Sequence, residues 1–253
     1  MASAEQIAQA ARLIQAAQRI VAFTGAGIST PSGIPDFRSP TSGLWTHADP
    51  MSVASIFGFR QNPQAFYDWV RPLARTILAA QPNAAHLALT RLEALGKLHS
   101  VITQNIDMLH HRAGNQQVYE LHGHLREATC IQCFKLYSAQ TILGRYMHDG
   151  VVPLCQECGG VLKPNVILFG EQLPIRQLQG AQDAAKKADL MIVIGSSLEV
   201  APASDLPWLT KRSGGKLIIV NFEVTHLDEV ADLVIHDDAS LVLPAILSVY
   251  STL

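Results

Sequence analysis

Cysteine is scarce in this chain, with four in 253 residues. A disulfide-dense scaffold is therefore excluded. It is also not needed, because a chain of this length buries about 70–75% of the surface its unfolded form exposes. Charge is sparse too, at 16% of residues, with 19 Lys and Arg against 21 Asp and Glu and a net charge of −2. That balance argues against a dedicated binder of nucleic acid. No apolar run reaches the roughly 20 residues of a membrane span. No basic segment precedes an apolar block in Met1-Ala-Ser-Ala-Glu-Gln6, so a secretory signal is not expected and the cytoplasm is the expected location. Internal repeats and low-complexity segments are missing as well.

What remains is 48% hydrophobic, the composition of a globular chain rather than a disordered one. Residues 3–18 carry Ile7, Ala11, Leu13, Ile14 and Ala17 at helical spacing after a Ser3 cap. Ile20-Val-Ala-Phe-Thr24 follows as a buried strand and runs into Gly25-Ala-Gly-Ile-Ser29. Segments 63–80 and 82–96 read as helices, each with a proline near its start. Further strands are expected at 99–103, 189–194, 216–220 and 232–236, with a closing helix from Ser240. These strands are apolar without alternation, as in a parallel sheet covered on both faces. The expected architecture is α/β: a Rossmann-like, doubly wound parallel sheet with an inserted small domain that contains a zinc ribbon and a helical module. Its sheet domain is assigned to 1–37, 81–125 and 163–253, a loop and helical insertion to 38–80, and a zinc-ribbon insertion to 126–162. Ligands of such sheets bind beyond the carboxyl ends of the strands.

Several clusters of polar and glycine residues fall at those ends. Gly25-Ala26-Gly27-Ile28-Ser29 lets backbone N–H groups approach a phosphate, although Thr30 stands where G-x-G-x-x-G needs its third glycine. A tight turn explains it equally. Pro35-Asp36-Phe37-Arg38 joins a carboxylate, an aromatic face and a guanidinium in a long loop, which is either a closing flap or plain surface. Gln104-Asn105-Ile106-Asp107 offers amide and carboxylate groups to a carboxamide, or caps a helix. His122 is a candidate general base among ten histidines.

The strongest signal is the cysteine spacing. Cys130-x2-Cys133 and Cys155-x2-Cys158 are separated by 21 residues, close to the range of a zinc ribbon. Four thiolates leave no open position, so this zinc is expected to be structural. A redox or iron–sulfur site is the alternative.

Together these strings resemble the sirtuin family of NAD-dependent protein-lysine deacylases. The resemblance runs from about Ile20 to Ile246. It rests on Gly25–Ser29, Gly33-Ile-Pro-Asp-Phe-Arg38, Thr103-Gln-Asn-Ile-Asp107, Leu121-His-Gly123, both cysteine pairs, Phe169-Gly-Glu171, Gly195-Ser-Ser-Leu198 with Val200 and Pro202, and Val220-Asn221. It implies NAD and one structural zinc ion as cofactors. Gly25, Ala26, Gly27 and Ser29 would hold the diphosphate, with Asp36, Phe37 and Arg38 on a mobile cofactor loop. Gln104, Asn105, Ile106 and Asp107 would meet the ribose and nicotinamide, and Gly195, Ser196 and Ser197 the ribose and phosphates. Asn221, Phe222 and Glu223 would meet the adenosine ribose, and Ala239 the adenine end. Val166, Leu168, Phe169, Gly170 and Glu171 would flank an acyl-lysine peptide that enters as an extended strand.

The reaction implied is attack of the acyl oxygen on the ribose carbon that bears nicotinamide. His122 then serves as general base toward a ribose hydroxyl, with Asn105 as its catalytic companion. Lysine, nicotinamide and O-acyl-ADP-ribose result. Relatives that take succinyl or malonyl groups carry Y-x-x-R, and here Tyr67-Asp-Trp-Val70 puts valine at the arginine position. Arg71, one residue later, is rotated by about 100° on a helix. Acetyl or longer apolar acyl groups are therefore expected as substrates. Lys163-Pro164 departs from an Arg-Pro pair common in relatives, which puts local packing in question. ADP-ribosyl transfer and a catalytically silent NAD-binding module are the rival readings. Retention of both Asn105 and His122 disfavours the second.

Overall fold

The computed structural model describes residues 1–37, 43–44 and 49–252, apart from the side chains at 140, 141 and 143–145. The chain opens with α1 (Ala4–Ala16). A capping box starts it: the Gln6 N–H donates to Ser3 Oγ and the Ser3 N–H to Gln6 Oε1. β1 (Ile20–Thr24) then leads into two short 3-10 turns, Ala26–Ile28 and Thr30–Ser32. Four helices follow: α2 (Pro50–Val53), α3 (Ile56–Gln61), α4 (Pro63–Ala79) and α5 (Ala84–Ala94). Pro63 occupies the first turn of α4, where its missing N–H costs nothing, and Asn62 caps that turn by accepting from the Ala65 N–H.

After these come β2 (Leu98–Thr103), α6 (Leu109–Ala113), β3 (Val118–Glu120), β4 (Gly123–Cys130), β5 (Leu136–Ser138), α7 (Ala139–Asp149) and β6 (Leu162–Val166). The chain ends with α8 (Ile175–Lys187), β7 (Leu190–Ile194), α9 (Asp205–Arg212), β8 (Lys216–Val220), β9 (Leu233–Ile235) and α10 (Ala239–Tyr250).

Six strands form one parallel sheet in the order β3-β2-β1-β7-β8-β9. Renumbered within that sheet, the order is 3-2-1-4-5-6, the doubly wound arrangement expected from the sequence. β1 shows why its run is apolar throughout. Ile20 and Ala22 face α1, α5 and α10 through Ile14, Leu89 and Ile246, while Val21 and Phe23 face α8 and α9 through Ala184 and Leu206. Both faces are covered, so neither set of side chains is polar. Burying a side chain such as Phe23 contributes about 1.5–3 kcal/mol.

A second sheet, β5-β4-β6, is antiparallel and carries the cysteines. β3 ends at Glu120 in the large sheet and β4 starts at Gly123 in the small one, so the chain crosses outward through Leu121 and His122 and returns from β6 through the segment before α8. A separate core of Phe59, Phe66, Tyr67, Tyr146 and Leu168 packs α3, α4 and α7 over this junction.

Candidate functional site

The switch in strand order lies between β1 and β7, where successive connections leave toward opposite sides of the sheet. Loops from the carboxyl ends of both strands meet there more closely than any side chain would allow. A Cβ on Gly25 would lie 2.7 Å from the Gly195 carbonyl oxygen, and one on Gly27 would lie 2.7 Å from Gly195 Cα. Gly195 itself has φ +60°. The glycines are thus required by the contact between the loops.

This corrects one expectation. The Gly25 and Gly27 N–H groups do not serve as phosphate donors, because they bond to the Ile194 and Gly195 carbonyls at 3.0 and 2.9 Å. The Ile28 and Ser29 N–H groups close the turn on Gly25 and Ala26. What the loop offers a ligand is an unobstructed backbone surface.

A cleft of about 700 Å³ opens over these loops. Its polar side is lined by Gly25, Ala26, Gly27, Asp36, Phe37, Gln104, Asn105, Ile106, His122, Gly195, Ser196 and Ser197, and by Asn221, Phe222 and Glu223 beyond β8. Val166, Leu168, Phe169, Gly170 and Glu171 line it from the segment after β6. Three predicted residues stand elsewhere. Ser29 and Asp107 are buried behind Asn105, and Ala239 is buried in the core at the start of α10. Arg38 lies outside the described residues.

Asn105 is held from two sides. Its Nδ2 donates to the Gly25 carbonyl at 3.0 Å and to Ser29 Oγ at 3.2 Å, while its backbone N–H donates to Thr103 Oγ1. Ser29 Oγ in turn donates to Asp107 at 2.6 Å, and Asp107 also accepts from the Leu109 N–H. Asp107 thus accepts the first N–H of α6 from just before the helix and reaches Asn105 only through Ser29. Burial pushes the Asp107 carboxyl above its usual range, against the pull of the Ser29 and Leu109 bonds.

Behind Thr103 the polar chain continues inward, from Thr103 Oγ1 to Thr24 Oγ1 at 2.8 Å and on to His110 Nε2 at 2.9 Å. Gln104 Nε2 donates to Ser196 Oγ at 2.9 Å, tying the β2 loop to the β7 loop.

His122 Nδ1 lies 3.0 Å from the Gln104 carbonyl oxygen. A carbonyl only accepts, so Nδ1 carries the proton and Nε2 of the neutral ring is the basic nitrogen. The Ile167 N–H donates to the His122 carbonyl at 2.8 Å, which fixes the backbone on its other side. Two residues upstream, Glu120 is clasped by both arms of Arg126 and lies 3.4 Å from His111. Burial alone would raise its pKa, but these partners hold it down at about 2.

The remaining wall is apolar and comes from α4. Phe66, Trp69, Val70 and Leu73 line the cleft at spacings i, i+3, i+4 and i+7. Sequence reasoning identified only Val70 there, because a helical stripe of this kind reads as core packing. Arg71 does point away, as expected. It donates to the Met147 carbonyl at 2.9 Å and lies over the Tyr146 ring at 5.5 Å. Arg75 reaches the same carbonyl at 3.1 Å.

The four cysteines gather outside the cleft. Sγ of Cys130 is 3.5 Å from that of Cys158, Cys133 is 3.5 Å from Cys155, and all four lie within 4.8 Å of one another. Four thiolates around one zinc ion at about 2.3 Å would stand about 3.8 Å apart, so the set fits a closed tetrahedral site. Cys130, at the end of β4, would link the ion to the small sheet.

The Sir2 family model matches residues 25–202. The chain belongs to the Sir2 family. It is 47% identical over 226 residues to an NAD-dependent protein deacetylase of Sulfurisphaera tokodaii, covering 89% of this chain and 88% of that protein. A solved structure that addresses the mechanism and regulation of Sir2 enzymes superimposes with a TM-score of 0.94, at 43% identity over 99% of each chain. The structure of Sir2Af2 bound to a myristoylated histone peptide superimposes with a TM-score of 0.85, at 39% identity over 99% of this chain and 98% of that one.

Proposed function

We propose that this Sir2 family member removes acetyl and larger apolar acyl groups from lysine side chains of proteins, with NAD as co-substrate. The observation that carries this reading is His122, anchored through Nδ1 to the Gln104 carbonyl, in a cleft lined both by the glycine loops and by the apolar residues of α4. NAD supplies a ribose carbon whose bond to nicotinamide breaks as the acyl oxygen takes its place. The ribose hydroxyl then bonds to the acyl carbon, and one water adds there as the lysine amine leaves, so the products are nicotinamide, free lysine and O-acyl-ADP-ribose.

The chain's own residues do the rest. The Gly25–Gly27 and Gly195–Ser197 loops receive the diphosphate on bare backbone, and Asn221, Phe222 and Glu223 receive the adenosine ribose. Asn105, locked by Gly25 and Ser29 and backed by Asp107, orients the nicotinamide side. Phe37 and Asp36 cover the ribose carbon and hold bulk water off it until the acyl oxygen has bonded. His122 Nε2 accepts the proton of a ribose hydroxyl. In this reading the cofactor sits on the large sheet, and α2, α3 and α4 together with the small sheet of β4, β5 and β6 close over the peptide. Zinc takes no part in the chemistry and holds the small sheet in shape.

The acyl group rests against Phe66, Trp69, Val70 and Leu73. Arg71 and Arg75 are both turned to Met147, so neither meets a dicarboxylic acyl group. Lysine-acylated peptide is the proposed partner; neither nucleic acid nor membrane is proposed as one, and the near-balanced charge supports the first exclusion. A cytoplasmic setting is proposed with it, supported by the cysteine pairs, whose metal-ligand spacing suits a compartment that keeps thiols reduced.

The test follows nicotinamide release and peptide mass together, using purified protein, NAD and matched acetyl-lysine and succinyl-lysine peptides. The expected result is NAD-dependent loss of one acetyl group, faster than loss of succinyl. His122→Ala should lower kcat about 10²–10⁴-fold and leave NAD affinity nearly unchanged. Nicotinamide release without deacylation would replace this reading with ADP-ribosyl transfer or NAD hydrolysis. Faster turnover of the succinyl peptide would overturn the acyl preference.

A further inference from the structure

Lys163 sits on β6, and all three of its ammonium protons have acceptors. Nζ donates to the Val166 carbonyl at 2.8 Å, to the Pro164 carbonyl at 3.2 Å and to Glu171 Oε2 at 3.0 Å. Glu171 Oε2 also accepts from the Leu168 N–H at 2.8 Å. The pair is largely shielded, with 11% and 23% of the two side chains exposed. It therefore ties residues 163–171 together from within, charge against charge and ammonium against carbonyl.

The outer edges of the same segment are bonded to the rest of the cleft. The Ile167 N–H donates to the carbonyl of His122, the Phe169 N–H to that of Ala54, and the Ile56 N–H to that of Phe169. Val166 through Glu171 all line the cleft. A peptide entering as an extended strand needs a backbone edge of fixed shape, because main-chain bonds supply much of its affinity. Lys163 is the side chain that fixes this shape, although it is not itself among the lining residues.

A compact ammonium with three donors suits two carbonyls and one carboxylate that converge on a single point, where a planar guanidinium would spread its donors. The concern that lysine here loosens local packing is thus answered by the geometry.

We infer that Lys163, through Glu171, is a positioning residue for the acyl-lysine peptide: it presets the 166–171 edge on which the substrate lies. This deepens the deacylase reading and rests on it, so the decisive readout is direct binding rather than turnover. Affinity of an acetyl-lysine peptide is measured by fluorescence anisotropy on the full chain, with NAD affinity and melting temperature measured in parallel.

Lys163→Met should weaken peptide binding about tenfold, or about 1.4 kcal/mol. It should leave NAD affinity within about twofold and the melting temperature within a few degrees. Lys163→Arg keeps the charge but spreads its donors, and should recover affinity only in part, to about threefold below wild type. In turnover, Lys163→Met should raise KM for peptide with little change in kcat. Unchanged peptide affinity in Lys163→Met would overturn the inference. So would equal weakening of peptide and NAD together with a lowered melting temperature, which would mark a merely structural lysine. A wild-type protein that binds the peptide without deacylating it would sink the deacylase reading and leave the binding comparison intact.

Discussion

Ser29 is the residue on which the nicotinamide side of the cleft depends most. One hydroxyl donates to Asp107 and accepts from Asn105, so it links a buried carboxylate to the amide facing the cleft. Ser29→Ala should destabilise the protein by about 1–3 kcal/mol, because it leaves a buried acceptor short of a donor. Urea denaturation checks the size. A parallel fall in nicotinamide-releasing activity, with little change in peptide affinity, checks that the loss is local. The motif itself, Thr103 to Asp107 with Gly25 to Ser29, was legible in the sequence as a group of polar residues at strand ends. Its internal wiring was not, because hydrogen bonds between residues about 80 positions apart leave no local pattern. The same holds for Thr24 and His110, which extend the wiring inward and which composition or spacing could not single out. Ala239 rests on resemblance alone, since an alanine has no chemistry of its own to argue its place, and its side chain is buried at the start of α10.

At the level of elements, strands buried on both faces and long amphipathic helices were easiest to read. β1, β7 and β8 stand where continuous apolar runs placed them, and α4 stands between its proline start and Ala79. β3 was missed, since three residues paired only to Val101–Thr103 are too few to show a period. The glycine loop was placed correctly but misjudged in its bonding, because a sequence shows that backbone is exposed and not what it faces. The cysteine ribbon gives the element-scale prediction. Cys130→Ser, or removal of zinc by a chelator, should unfold the β5-β4-β6 sheet, since Cys130 and Cys155 belong to its small core. Peptide deacylation should then be lost while NAD binding to the large sheet survives within a few-fold. Calorimetric NAD titration beside the activity assay tests this. Equal loss of both would mean that the sheets fold as one unit.

On the scale of the whole molecule, three buried groups set the acid limit. Burial lowers His86 to about 4 and His110 well below the usual histidine range, and their rings lie 4.9 Å apart. Both therefore stay neutral in the folded state while the unfolded chain takes up protons below about pH 6.5. The unfolded state binds more protons in that window, so stability falls as pH drops from about 6.5 toward 4, by about 1.4 kcal/mol per pH unit for each histidine. Glu120 adds a second window. Its depressed pKa contributes stability in full above about 4.5, and this is lost as pH falls toward 2. Urea midpoints at pH 7, 5.5 and 4.5 should drop in order, and His86→Leu should flatten the slope. Parallel slopes for the variant and the wild type would refute the assignment.

The passage between the sheets carries one more consequence. The chain leaves the large sheet through Leu121 and His122 and comes back through the segment after β6, and the Ile167 N–H fastens the returning strand to the His122 carbonyl. Two spans braced against each other resist bending better than one. The proton acceptor is thus seated on a double strut, whatever side chains the outer lobe carries.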